Sequence, residues 1–234
     1  MMPPSRSAPV PATRGAGLLV GAGLLAYAAY VGVTWARYGR DRRRAPAPPL
    51  DRFMPTYEVA ERHRVSVDAP VEATMAAVRA LDLEQLPVAR LLFRARAWLL
   101  GERAVSAEGP HGLAASTRAM GWGVLDDRPR ALVMGAVCRP WEADPGFRAV
   151  DPDAFAAFHE PGLVRIVWAV GAEPDGTGGS VAWTETRVAT TDAAARLRFR
   201  RYWALLSPGI LLIRWAALRL VRTEAERTAQ PPFL

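Results

Sequence analysis

Hydrophobic and polar positions change their period along this 234-residue chain, and each change marks an element. From Gly15 to Ala36 no residue is charged. At 1.5 Å per residue a helix of that length crosses the ~30 Å hydrocarbon core of a bilayer. Residues 45–55, APAPPLDRFMP, are Pro-rich and aperiodic and read as an extended spacer. Over 57–67 the chain alternates, with Val59, Glu61, His63, Val65 and Val67 on one parity, which predicts a strand. Pro70 then opens a helix whose stripe is Val71, Met75, Val78 and Leu81. Residues 87–101 carry a second helical stripe, Leu91, Ala95, Trp98 and Leu99.

Strand patterns follow in LAASTRAMGWGVL, ALVMGAV, FRAV, LVRIVWAVGAE and SVAWTETRVAT, separated by Asp, Pro and Gly turn signals. One helical turn is expected in DPDAFAAF. The last element starts at Thr191 or Asp192, either of which can cap a helix. At 100° per residue its inner stripe is Ala195, Phe199, Tyr202, Trp203, Leu206, Ile210, Ile213, Ala217 and Leu220. Ser207-Pro208-Gly209 should kink or break it, after which Leu211, Leu212, Trp215 and Leu218 point away from that stripe. That apolar surface, with Arg214, Arg219 and Arg222, suggests a helix resting on a membrane interface.

Charge sharpens the first segment and excludes one partner. The formal net charge is +7, yet residues 1–54 hold eight Arg against two Asp, so the rest of the chain is close to neutral. That balance removes the main warrant for nucleic acid, which needs positive charge clustered on one face. Two Arg precede the uncharged run and five follow it closely, a bias that puts the C-terminal side in the cytoplasm. The run is longer than a signal-peptide core and leaves through WARYGRDRRR rather than a small-residue cleavage site. Tyr27, Tyr30 and Trp35 sit toward its C-terminal side, as interfacial aromatics do.

Little in the sequence points to acid–base or metal chemistry. The three His (63, 111 and 159) are far apart, Cys138 is the only cysteine, and no Gly-rich phosphate loop links a strand to a helix, so no cofactor is expected. His159 beside Glu160 reads as a solvated loop pair. Glu185 and Arg187 share a strand parity with Trp183, and that parity is expected to face solvent while Ala182, Thr184, Thr186 and Val188 lie under the helix.

The order of one strand, two short helices, a run of strands and a long terminal helix, opened by VSVDAPVEATMAAV, resembles the START-like, Bet v 1-like or SRPBCC helix-grip superfamily. GWGVLDDRP and MGAVCRPW are similar to stretches of uncharacterised membrane-anchored bacterial members. Met75 stands where that family commonly has an aromatic, and the family shares no universal catalytic residue. The resemblance implies an α+β fold of the helix-grip type, an antiparallel curved sheet wrapped around a long C-terminal helix, here with an N-terminal single transmembrane helix. The expected organisation is a disordered N-terminus (1–14), a transmembrane helix (15–36), a basic Pro-rich linker (37–55), the helix-grip domain (56–227) and a tail (228–234).

The resemblance further implies an apolar cavity between sheet and terminal helix that takes a lipid or polyketide-like molecule. Its expected walls are Trp122, Met134, Val164, Ile166, Trp168, Phe199, Tyr202, Trp203 and Leu206, with Met120 a weaker candidate. Each could equally be plain core, since aromatic and Met stripes usually are. The function expected is binding or carrying a hydrophobic small molecule at the bilayer. A polyketide cyclase or aromatase-like enzyme and a non-liganded scaffold module stand as alternatives.

Overall fold

The computed structural model describes residues 12–40, 48–82, 90, 91, 94 and 111–230. Its elements run α1 (Ala12–Arg37), α2 (Pro48–Asp51), β1 (Val59–Val67), α3 (Val71–Ala80), α4 (Leu113–Ala119), β2 (Gly123–Arg128), β3 (Ala131–Cys138), α5 (Pro152–Phe155), β4 (Val164–Pro174), β5 (Ser180–Thr190) and α6 (Ala193–Ala229). The fold is α+β. The strands form one antiparallel sheet in the order β1-β5-β4-β3-β2, closed at one edge by the first strand of the chain.

Local chemistry sets the element ends. Asp192 caps α6, its Oδ1 accepting from Ala195 N at 2.7 Å, and Gly162 N donates to its other oxygen. Both backbone donors favour the charged carboxylate and hold its pKa below the usual aspartate value. Gly176 and Gly178, both at positive φ, make the β4–β5 turn that PDGTGG foretold. Pro70 stands at the cap of α3, and Val71, Met75, Val78 and Leu81 are all buried as expected.

Several expectations about local elements fail. LAASTRA is the helix α4 rather than a strand, since Leu113 and Thr117, four apart, are its buried positions. FRAV contributes one isolated bridge, Val137 to Arg148, and no strand. The stripe of α6 also drifts: its buried positions are Ala195, Phe199, Trp203, Ala204, Ser207, Leu218, Val221 and Ala225, and Pro208 lies inside one unbroken helix. Leu218 is therefore an inward residue. The second helical stripe over 87–101 lies largely outside the described residues, of which Leu91 is exposed.

Both faces of the sheet are covered. One carries α3 and α6. On the other, Leu50, Phe53 and Met54 are buried against Val133, Val167, Ala169 and Trp183, together with Leu125 and Phe155. Residues 48–57 are thus a strap across the back of the sheet rather than an extended spacer. Burying each of those three side chains contributes about 1.5–3 kcal/mol before ordering entropy.

The strap also changes the reading of β5. Ala182, Thr184, Thr186 and Val188 do lie toward α6, but the opposite parity is not solvated: Arg187 is 1% exposed and Glu185 3%. Arg187 Nε donates to Glu185 Oε1 at 2.8 Å, and its Nη1 donates to Asp51 Oδ1 at 2.7 Å and Met54 O at 2.9 Å. Burial pulls the guanidinium pKa down, but the bonds to Asp51 and Glu185 outweigh it and leave the pKa above its ordinary value. The Tyr57 ring stacks 4.7 Å from the guanidinium.

α1 ends against the sheet. Tyr38 is buried beside Phe199, their rings 6.1 Å apart, and Gly39 N donates to Glu58 O. Burial and the nearby Glu58 carboxylate raise the pKa of the Tyr38 hydroxyl well above its usual value. Of the described helices only α6 has a described stretch long and apolar enough to cross a membrane, and as a helix lying on a sheet it also fits a core helix.

Candidate ligand-binding site

On the helix side of the sheet the core is divided. Toward one end, Val59, Val188, Val164 and Cys138 close over Phe199, Trp203 and Tyr38. Toward the other, Val67, Ala182, Val170 and Leu132 close over α3 and over Leu218, Val221 and Ala225 of α6. On the same face the sheet presents the cross-strand rows Glu61–Thr186–Trp168–Met134–Val124 and His63–Thr184–Val170, of which Met134 and Val170 belong to the second cluster and Trp168 and Val124 pack against it. Directly opposed residues share a face, so each row is a line of side chains on the helix-covered face of the sheet. The first row runs from polar at the β1 edge to apolar at β3 and β2.

Above this stretch lies the middle of α6. Tyr202, Leu206, Ile210, Ile213 and Arg214 are half-buried there, as are Glu61, His63, Ile166 and Trp168 below. Ser207 is fully buried in the same stretch, so polar and apolar side chains share the contact between the middle of α6 and the sheet. Trp168 Nε1 donates to Thr184 Oγ1 at 2.7 Å, and that hydroxyl donates to Ala169 O at 3.0 Å. Thr186, 5% exposed, has no partner for its Oγ1. Arg214 Nη1 stands 3.5 Å from Glu61 O, and the His63 ring meets Trp215 edge-on at 6.3 Å. An apolar wall carrying a guanidinium and an unpartnered hydroxyl suits a molecule with a hydrocarbon body and a hydrogen-bond-accepting end.

The sequence-derived wall residues divide into three sets. Ile166, Trp168, Tyr202 and Leu206 are half-buried, and Ile166 and Tyr202 pack against one cluster and Trp168 against the other. Phe199 and Trp203 stack at 5.9 Å within one closed cluster, where Val164 is also fully buried, and Met134 is fully buried in the other. Trp122 is half-buried and its ring lies tilted against Phe147, centroids 5.3 Å apart, and Met120 is at the surface. Glu61, His63 and Thr186 were not expected as wall residues, and Arg214, expected on the outer face with Arg219 and Arg222, is instead turned toward Glu61. The β1 alternation did hold a signal: Glu61 and His63 occupy the parity of Val59, Val65 and Val67, polar residues on an apolar face.

A concavity of about 360 Å³ lies near the chain crossing at Tyr57, Glu58, Arg165, Thr190 and Arg196. Its polar groups are largely committed to the fold. Glu58 accepts from Thr190 N and Oγ1 at 2.9 and 2.8 Å, and Arg165 Nη1 donates to Phe155 O and Ala156 O. Among the described residues no group of three His, Cys, Asp or Glu could hold a metal ion. His159 is exposed, its Nδ1 2.9 Å from Ala157 O.

No family model matches the chain, and no curated protein is significantly similar to it. Among solved structures, a hypothetical protein from Helicobacter pylori aligns over 78% of this chain and 96% of its own, with 9% identity and a TM-score of 0.32. A likeness at that score carries no argument about fold or activity.

Proposed function

We propose that this chain is a membrane-anchored domain of the START-like helix-grip kind that binds a hydrophobic small molecule beneath the middle of α6. The observation that carries this reading is a polar pair within an apolar helix–sheet contact: the buried, unpartnered Thr186 hydroxyl of β5 and the half-buried Arg214 of α6. A buried hydroxyl without a partner costs about 1–3 kcal/mol, a cost that a ligand oxygen would remove. The uncharged run 15–36 serves as the anchor, and Arg37 and Arg40 at its C-terminal end favour the cytoplasmic side for the domain.

The full chain, extracted in mild detergent and examined by native mass spectrometry, should carry a lipid-sized adduct. A fluorescent fatty acid should displace it, and Trp168→Ala or Arg214→Met should weaken that probe's binding severalfold. No adduct, together with no saturable binding of the fatty acid, would sink the proposal.

A further inference from the structure

The contact between α1 and α6 fixes how deep α6 sits if α1 is the anchor. Tyr27 Oη donates to Leu205 O at 2.6 Å, and Tyr30 Oη lies 2.9 Å from Ser207 Oγ. Arg200 Nε and Nη2 donate to Trp35 O at 3.0 and 2.6 Å, and the guanidinium covers the Trp35 ring at 4.1 Å. The uncharged run Gly15–Ala36 is centred between residues 25 and 26. At 1.5 Å per residue Tyr27 is then about 2 Å and Tyr30 about 7 Å along the helix from its centre. Both hydroxyls fall within the ~15 Å half-thickness of the hydrocarbon core. Whatever they hydrogen-bond must lie at the same depth. Trp35, about 14 Å from the centre, falls at the interface, where Arg200 covers it.

We infer that the outer face of α6 from Leu205 to Trp215 is embedded in the hydrocarbon of the bilayer, against acyl chains, with the sheet domain docked on the membrane. The side chains of that stretch fit such a site. Leu205, Leu212 and Trp215 are 50%, 52% and 46% exposed, and Leu24, Leu25 and Val33 of α1 are exposed too. Between Arg201 and Arg214 the helix carries no charge. Arg214 itself is turned toward Glu61 of β1 rather than outward. Pro208 cannot donate to Ala204 O, and the adjacent carbonyl of Leu205 receives the Tyr27 hydroxyl. In hydrocarbon such polar groups need internal partners, because no water is there to supply them. Arg219, over the Trp215 ring at 5.6 Å, marks where the face becomes charged again. Trp215, edge-on to His63, would stand where the proposed site beneath α6 meets the acyl chains, giving a lipid lateral access to it.

This inference rests on reading α1 as the anchor, and one experiment separates the two. Single cysteines at Leu24, Leu212 and Thr177, each exposed, are introduced into the full chain carrying Cys138→Ser, spin-labelled and reconstituted in phosphatidylcholine–phosphatidylglycerol nanodiscs. Accessibility to oxygen, which partitions into lipid, is compared with accessibility to a water-soluble nickel chelate. Labels at 24 and 212 should both be lipid-accessible and the label at 177, in the β4–β5 turn, water-accessible. A label at 212 that behaves like the one at 177 while 24 stays in lipid overturns the embedding and leaves the anchor standing. A water-accessible label at 24 overturns both. Native mass spectrometry of the same samples reports ligand binding independently of either result.

Discussion

Replacing Arg187 by Met should destabilise the domain more than any other single change on the back of the sheet. The side chain is 1% exposed and makes three hydrogen bonds, two of them to carboxylates. Met fills much of the same volume, so little of the loss comes from a cavity. What remains is Glu185, 3% exposed, whose next cation is Arg62 Nε at 3.7 Å. Breaking one side of a buried ion pair in this way costs about 3–5 kcal/mol. Asp51, whose side chain is 42% exposed, contributes far less, and Asp51→Ala should cost about 1 kcal/mol or below.

Urea unfolding of the detergent-solubilised full chain, followed by tryptophan fluorescence, measures these losses. Trypsin supplies a second readout at the bond after Arg52, next to the buried Phe53, because a strap released from Arg187 should be cut faster. The double variant Arg187→Met with Glu185→Leu removes both charges and should recover most of the single-variant loss, a coupling of about 2 kcal/mol. A single-variant cost under about 1 kcal/mol, or additive losses in the double variant, would refute the claim that this pair fastens the strap.

Gly171→Ala should destabilise by about 1–3 kcal/mol, because an added Cβ would stand 2.5 Å from Arg130 O and 2.7 Å from the Trp183 ring, and backbone yields poorly. A melting temperature equal to the parent's would contradict that packing. Thr186→Val should raise stability by about 1 kcal/mol by removing an unpartnered buried hydroxyl, and at the same time weaken fatty-acid binding. Loss of stability with unchanged binding would mean that the hydroxyl faces no ligand. Asp192 has a folded pKa below its unfolded one, so its stabilising effect is complete above about pH 4 and is lost as pH falls through the folded value. Asp192→Ala should therefore unfold more easily than the parent at pH 6, with the difference shrinking toward pH 2; a gap independent of pH would show that the charge is not involved.

The sequence showed most clearly what one element decides alone. The parity of β5, the capping of α6 by Asp192 and the Pro70 start of α3 are local, and each was legible. The burial of Glu185 and Arg187 was not, because the residues that cover them lie about 130 positions upstream in a Pro-rich stretch with no period. Leu50, Phe53 and Met54 are buried from an irregular turn, and a helical or strand template does not register such spacing. α4 was mistaken because its Ala, Ser and Thr residues offer no broad apolar stripe, only Leu113 and Thr117 facing inward.

The misplaced stripe of α6 is the most informative of these differences. An ideal period starting at Phe199 puts Ala217 inward and Arg214 toward the flank. The observed series Phe199, Trp203, Ser207, Leu218, Val221, Ala225 lengthens the average repeat slightly and brings Arg214 over β1. A helix serving only as core would be expected to carry an apolar residue at that position, since burying a guanidinium costs free energy without a close partner. Instead Arg214 faces the backbone carbonyl of Glu61. The polar residues here come from the β1–β5 edge of the sheet, Glu61, His63 and Thr186, and from α6, Arg214. Polar side chains in an apolar helix–sheet contact are what the proposed binding of an apolar molecule by its polar end would use, and the Thr186→Val and Arg214→Met variants test that use.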